Sequence, residues 1–404
     1  MAVADLAPPD FDLRRLPPAF YDDPYPTYRR LREAAPVHRL PDGSLFLTRH
    51  ADLERVYKDV KTFSSDKVVE FGGKFGPSPL FEHHTTSLVF NDPPLHTRVR
   101  RLINGALTPR TIADLEPDLV RLVDGLLDRM AGRSQVDLIE DYAIAIPVEV
   151  IGNLLAVPHD ERAPLRQWSL DILGALEPVV PEADMRRGDE AVTEFCAYLE
   201  TLVARRRATP GDPERDLLTR LLAGEAGGER LSEVELLQNC IFILNAGHET
   251  TTNLIGNGLN LLLDHPAERR RVIADPGLLR GAVDETLRFD APVQLGNRRA
   301  TAPCAMGDAR IEAGTIIHLC IGAANRDPAA FADPDRFDVA RRPNRHLAFA
   351  SGPHQCVGMA LARLEGRIAI GRFLARFPDY IRAGAPVRGG RARFRGFLSL
   401  PVML

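Results

Sequence analysis

The stretch LSEVELLQNCIFILNAGHETTTNLIGNGLNLLL, at positions 231–263, constrains the fold of this chain more than any other. Ser232 suits a helix N-cap, and Glu235 three residues on completes a capping box. One helix is therefore expected from about Glu233 to Leu263. Apolar residues also recur at spacings of three and four through LEPDLVRLVDGLLDRM, DYAIAIPVEVIGNLL and AVTEFCAYLETLVARR, the signature of amphipathic helices. From Pro93 to about Leu374 the pattern is mainly helical, with a loop at the glycine-rich GEAGGER near Glu225. With 404 residues and 45% hydrophobic content, the chain can bury a large core. No repeat, low-complexity tract or linker divides it. The expected fold is mainly α (α+β): a single large helical domain over 1–404, with a long central helix and small β-sheets.

Strand signals are few. VHRLPDGSLFLT should form a hairpin about Asp42 and Gly43, because DG supplies positive φ angles. AMGDARIEAGTIIHLC predicts a second hairpin followed by a strand. Between them, KVVEFGGKFGPSPLFEHHTTSLVF is broken by Gly and Pro and predicts a long loop with apolar side chains, a candidate binding loop. A net charge of -4 with 26% charged residues points away from nucleic acid and from membrane surfaces. The opening MAVADLAPPDFDLRRLPP has no apolar run suited to a signal peptide or a span, so a cytoplasmic location is expected. The five cysteines, Cys196, Cys240, Cys304, Cys320 and Cys356, are odd in number and widely spaced, which argues against a disulfide framework or zinc ribbon.

Four stretches carry chemistry. In HLAFASGPHQCVGMALAR, Cys356 lies just ahead of a helix that starts near Met359, where the helix dipole favours a thiolate. Gly352 and Gly358 permit special backbone angles or close approach of a flat ligand; a buried structural cysteine is the plainer alternative. In FILNAGHETTTN, Ala246, Glu249 and Thr250 share a helix face while His248 points away. Ala246 and Gly247 leave room there, and the Thr250 hydroxyl can bond back to the Ala246 carbonyl, opening and kinking the helix. In NDPPLHTRVRRL, Asn91 or Asp92 can cap a helix begun by Pro93 or Pro94, with His96 and Arg100 on one face. DETLRF carries Glu285 and Arg288 at ExxR spacing, a cheap pattern repeated by Glu268 and Arg271.

Taken together, these motifs resemble the haem-thiolate monooxygenases, the cytochromes P-450. The family loop F-G-x-G-x-H-x-C-x-G is matched by Phe349, Gly352, His354, Cys356 and Gly358; Ala350 replaces the first glycine and is expected to keep an ordinary negative φ. A-G-x-[DE]-T is matched by Ala246, Gly247, Glu249 and Thr250, and D-P-P-x-H-x-x-x-R by the segment holding His96 and Arg100. The resemblance runs from about Pro24 to the closing RGFLSLPV. It implies haem b as cofactor, with Cys356 as axial thiolate on the iron. Its propionates would be met by His354, by His96 and Arg100, and by Arg298 or Arg299 of GNRRAT, the R-x-A pattern favouring Arg298. Dioxygen would sit beside Ala246 and Gly247, with Thr250 and Glu249 relaying protons. Glu285 and Arg288 would be a structural pair tied to PDRFDVARRPN, through Arg342 or Arg345.

The activity so implied is insertion of one oxygen atom from O2 into a small or medium hydrophobic substrate, by hydroxylation or oxidative dealkylation. Residues expected to face that substrate are Asn239, Phe242 and Ile243 on the central helix; Val293, Gln294 and Leu295 after the ExxR helix; Phe75, Leu80, Phe81 and Leu88 in the candidate binding loop; and Phe397 and Leu398 near the end. No flavin or iron–sulfur motif is present, so a separate ferredoxin and ferredoxin reductase would supply electrons to a monomer, docking on Arg98, Arg101, Arg363 and Arg367. The rivals are a peroxide-driven peroxygenase or nitric-oxide reductase on the same haem, and a non-enzymatic haem-binding sensor.

Overall fold

A computed structural model describes residues 10–214, 216–224 and 230–404. Most of the GEAGGER loop and the first nine residues of the opening segment lie outside the described residues. The central helix spans Glu233–Asp264, and its capping box forms as the sequence predicts: Ser232 Oγ accepts from the Glu235 N–H, and the Glu235 carboxylate accepts from the Ser232 N–H at 2.8 Å. Helices Ala145–Leu154, Leu165–Gly174, Glu182–Ala208, Leu279–Phe289 and Met359–Arg376 pack around it. Between Leu236 and Leu262 every residue of the central helix is buried except Phe242, Ala246, Gly247 and Thr250. A helix enclosed on all sides is the core itself rather than an amphipathic surface element.

Both hairpins form. β1 (Val37–Arg39) pairs antiparallel with β2 (Leu45–Leu47), with Gly43 at φ 85° in the turn and the Asp42 carboxylate accepting from the Ser44 N–H. β3 is Phe63–Ser64, β4 Leu295–Ala300, β5 Cys304–Met306, β6 Ala309–Ile311 and β7 Ile316–Cys320. The main sheet runs β1-β2-β7-β4-β3, with β2 and β7 parallel and the other neighbours antiparallel; β5 and β6 form their own hairpin.

The expected binding loop is a correction. Residues 67–90 fold as two short helices, Val68–Phe75 and Pro79–Thr86, and a turn at Leu88–Phe90. Gly76, at φ 62°, stops the first helix. Ser78 Oγ caps the second by accepting from the Phe81 N–H, with Pro79 in the first turn. Gly72 and Gly73 sit inside the first helix because burial of Phe71 and packing of Phe75 outweigh their poor propensity.

Glu285 and Arg288 are fully buried and bidentate, at 2.7 and 2.8 Å. Arg288 also donates to the carbonyls of Asn325, Pro334 and Arg336, while Glu285 accepts from Asn344 and from the Asp338 N–H. The third charge is Arg341, at 3.1 Å from Glu285, not Arg342 or Arg345; both of those are exposed. The second ExxR pair braces the same segment, since Glu268 accepts from the Val339 N–H and Arg271 meets Asp338. Asn344 Oδ1 has no partner, but each charge at the centre of the network is paired, and burying such charges depends on that pairing. Among the described residues, no helix is long and apolar enough to cross a membrane.

On the helix Met359–Arg376, burial alone pushes the Glu365 carboxyl up to about 8, and its Oε2 has no partner. A raised folded-state value means this group's contribution is fullest below about pH 4.3, the unfolded value, and is lost as pH climbs through 8. Glu365→Gln should flatten the fall in unfolding free energy between those limits, measured by denaturant titration at several pH values; an unchanged slope would contradict this.

Candidate active site

The cysteine loop is held from both ends. The Leu347 N–H donates to Asn325 Oδ1 at 2.7 Å, the Ala350 N–H to the Leu347 carbonyl at 2.8 Å, and the Cys356 N–H to the Phe349 carbonyl at 2.9 Å. Gly352 has φ 69°, and a Cβ there would lie 2.5 Å from the Tyr57 carbonyl oxygen. The loop therefore needs glycine for close packing on the Tyr57–Lys58 backbone. Ala350 is a correction: its φ is 54°, not negative. The tight turn back onto Leu347 imposes a left-handed residue even where alanine replaces the family's glycine, at a cost of roughly 1–2 kcal/mol.

Cys356 lies three residues before the helix Met359–Arg376. Its sulfur sits deep among protein atoms yet keeps an accessible face. Burial pushes the thiol up, against the Gly358 N–H and the nearby Arg100 and Arg363, which favour the thiolate. Coordination to a metal would deprotonate it outright. A Cβ on Gly358 would meet nothing within 4 Å, so protein packing does not demand glycine there, whereas a flat ligand against the loop would.

Beside the sulfur is a cluster of cationic and donor groups short of acid. Arg100 donates to the Gln355 carbonyl at 2.6 Å, and Arg298 Nη1 to the Asn297 carbonyl. The His96 and His354 rings stack with centroids 3.9 Å apart, and neither Nε2 has a partner; nor does Arg298 Nε. Burial, then the fields of Arg298, His96 and Arg100, push His354 down to about 2; burial and Arg100 hold His96 near 4. Asp92, the nearby acid, is engaged by Ser64 Oγ and the Ser65 N–H. Two guanidiniums and two unpartnered imidazoles at one place suit a dianion, so the residues fit the two carboxylates of a haem. Arg298 joins this group; Arg299, its neighbour on β4, is less buried and turns to the other face. Neither Asn91 nor Asp92 caps the helix Leu95–Ala106: Pro94 holds the cap position, and Asn91 bonds the Thr85 and Ser87 carbonyls.

On the central helix, Thr250 Oγ1 donates to the Ala246 carbonyl at 2.7 Å, as expected, while the helix runs through this point without interruption. The accessible stripe Phe242–Ala246–Thr250 has the i, i+4, i+8 spacing of one face. Gly247 serves another purpose than expected: a Cβ there would lie 2.5 Å from Ile151 Cδ1, so it admits a neighbouring helix. Glu249 is buried and turned aside, its carboxylate accepting from Arg391 Nη1 at 2.9 and 3.0 Å. Burial raises its carboxyl and Arg391 opposes the rise.

The predicted substrate residues divide. Phe75, Phe81 and Val293 join Phe71, Phe90, Leu173, Leu176 and Phe394 in one apolar cluster, and Phe242 lies on the accessible stripe. The others do not. Asn239 is a strut whose Oδ1 accepts from the Leu88 N–H and whose Nδ2 donates to the Glu235 carbonyl. Gln294 bonds Tyr25 and the Ala291 carbonyl. Leu80, Leu88, Ile243 and Phe397 are core, Leu295 packs with Phe11 and Phe46, and Leu398 is exposed. Polarity in a sequence cannot reveal which face of a fully buried helix or strand is open. Sequence reasoning missed Phe71, Phe90 and Phe394, though the first two stand in the quoted 67–90 stretch. It also missed His84, whose ring lies among Phe71, Phe75 and Phe90 with Nε2 unpartnered. A groove of about 650 Å³ between Phe81, Cys196 and Gln238 is lined by none of the cysteine-loop or Thr250-stripe residues. The expected basic docking face is weakened: Arg98 pairs with Glu235, Arg363 with Asp284 at 2.7 Å and Arg367 with Glu116 at 2.8 Å.

Comparison with known proteins bears on the family and the fold. A family model described as Cytochrome P450 matches residues 165–380. The chain is 40% identical to Cytochrome P450 107B1 of Saccharopolyspora erythraea, covering 97% of each, and 38% identical to the vitamin D(3) 25-hydroxylase of Pseudonocardia autotrophica, covering 89% of this chain and 88% of that protein. Among solved structures, P450BioI in complex with acyl carrier protein ligated to hexadec-9Z-enoic acid superimposes with a TM-score of 0.90 at 32% identity, over 95% of this chain and 99% of that one. CYP267B1, a myxobacterial protein in complex with myristic acid, does so with a TM-score of 0.88 at 36% identity, over 96% and 97%.

Ala350→Gly should relieve the left-handed strain. A gain of up to about 1 kcal/mol is expected after the flexibility glycine adds to the unfolded chain is subtracted. Chemical denaturation reads it directly; a loss of stability would mean that the Ala350 methyl makes contacts worth more than the strain.

Proposed function

The chain belongs to the cytochrome P450 family, and from that premise we propose how this member works. It is a haem-thiolate monooxygenase. In our reading Cys356 is the axial ligand, and Arg100, Arg298, His96 and His354 hold the haem carboxylates. The observation that carries the reading is the single break in burial along the central helix, at Phe242, Ala246, Gly247 and Thr250. There alone, between Leu236 and Leu262, the side chains of a core helix keep accessible surface.

When bound, the haem-thiolate group supplies dioxygen activation and oxidation of an unactivated C–H bond. The chain supplies position and protons. The Thr250 hydroxyl, anchored on the Ala246 carbonyl, offers its lone pairs to the open stripe and can turn its proton toward it. Glu249, once released from Arg391, brings a carboxyl to the same turn and restores that proton. Phe71, Phe75, Phe90, Val293 and Phe394 exclude water and fix an apolar substrate by shape. The substrate is a small or medium hydrophobic molecule, with His84 as the polar contact; a relative named vitamin D(3) 25-hydroxylase and a similar structure in complex with myristic acid support this class. Thr250 favours dioxygen over peroxide as oxidant. A ferredoxin and its reductase supply electrons, since the sequence carries no flavin or iron–sulfur motif. The chain acts as one cytoplasmic domain and a monomer, without nucleic-acid or membrane partners.

Thr250→Ala tests the assignment. Donor-driven dioxygen uptake should continue while electrons leak to hydrogen peroxide, with product per electron falling about tenfold. Coupling equal to that of the parent enzyme would remove Thr250 from the mechanism.

A further inference from the structure

A second opening reaches the central helix on the flank next to the accessible stripe. This cleft of about 200 Å³ is lined by Arg166, His248, Glu249, Thr252, Asn253, Arg391 and Leu398, among others. His248 and Thr252 are both more than nine-tenths buried, and neither ring nitrogen of His248 nor the Thr252 hydroxyl has a hydrogen-bond partner. Leu398 and Arg166 are the more exposed members at its rim, and Arg166 is held by Glu140 at 2.6 and 2.8 Å. Buried polar atoms are normally satisfied, by water if not by protein. Much of the cleft wall is apolar, with Ile139, Leu170 and Phe397, and the unpaired groups of His248 and Thr252 give ordered water its anchor there.

The helix geometry joins this cleft to the reaction side. At about 100° per residue, His248, Thr252, Asn245, Glu249, Asn253 and Thr250 follow one another around about 200° of arc. All lie within little more than two turns of this core helix. We infer that the cleft is a proton inlet and that His248 is its entry group, passing protons through ordered water to Glu249. The idea rests on the Glu249–Thr250 reading above and extends it to the supply of protons from solvent. In each transfer one ring nitrogen accepts a proton from the cleft while the other releases its own toward the Glu249 carboxylate, so that no net charge stays on the ring. Burial and the Arg166 field hold His248 down near 4, which keeps the imidazole in the neutral form this exchange uses. The Arg391 pair holds the receiving carboxylate at the cleft wall. His248 does not touch the reacting atoms and acts through Glu249.

The test uses holoenzyme with a plant-type ferredoxin and reductase as donors. His248→Phe should slow dioxygen uptake about tenfold and enlarge the solvent deuterium isotope effect. Peroxide-driven oxidation of guaiacol, which brings its own protons, and haem content should stay at parent values. Leu398→Trp, a surface change that plugs the cleft mouth, should act in the same direction should the first variant fold poorly. Unchanged uptake and isotope effect in both variants would overturn the inlet while leaving the monooxygenase reading intact, and a parallel loss of guaiacol oxidation would reduce His248 to a structural residue. Absence of dioxygen uptake by the parent enzyme would overturn the underlying reading, and the inlet with it.

Discussion

A single sulfur must be held near the protein interior with one face bare, and much of this structure serves that demand. In the reading proposed above, Cys356 cannot be presented by a mobile loop, because its position beside a flat ligand would have to survive each turnover. The loop is pinned by Asn325, closed by the Cys356 N–H on the Phe349 carbonyl, and pressed by Gly352 against the Tyr57 backbone. Asn325 also offers its carbonyl to Arg288, so the buried Glu285–Arg288–Arg341 group lies one residue away from the loop it stabilises. Ala350 shows how firmly the path is set: a non-glycine residue accepts the left-handed region rather than shift the turn.

Electrostatics complete the arrangement. Arg100, Arg298, His96 and His354 come from three separate stretches of chain and meet with little acid to balance them. Such a cluster costs stability in the bare protein, and a bound dianion would offset that cost; in the reading proposed above, the haem carboxylates take that place. The central helix supplies the second feature of the site. Its burial fails only at Phe242, Ala246, Gly247 and Thr250, where a narrow open stripe meets an alcohol. Next to it, a polar arc leads through Glu249 to His248 and a cleft.

Much of this was legible in the sequence because the relevant signals are local. The Ser232–Glu235 box fixed the start of the central helix, Asp42–Gly43 located a hairpin, and Thr250 found the Ala246 carbonyl four residues back. What escaped depends on tertiary neighbours. Gly72 and Gly73 suggested a loop, yet Phe71 and Phe75 bury enough surface to hold a helix through them. Asn239 and Gln294 looked like substrate contacts, but each satisfies backbone or tyrosine groups brought from remote segments. Arg341 rather than Arg342 meets Glu285 because of how the 334–344 segment turns, which no spacing rule encodes. Arg98, Arg363 and Arg367 found acids of their own, which a count of basic residues could not foresee.

The most direct test is the absorption spectrum of the purified holoprotein, reduced and exposed to carbon monoxide. Ligation by the Cys356 thiolate predicts the long-wavelength Soret band of a thiolate-bound iron in the native protein, lost on Cys356→His. A native sample that shows only the shorter-wavelength band of imidazole-bound iron, or a Cys356→His protein that keeps the thiolate band, would contradict the account at its foundation.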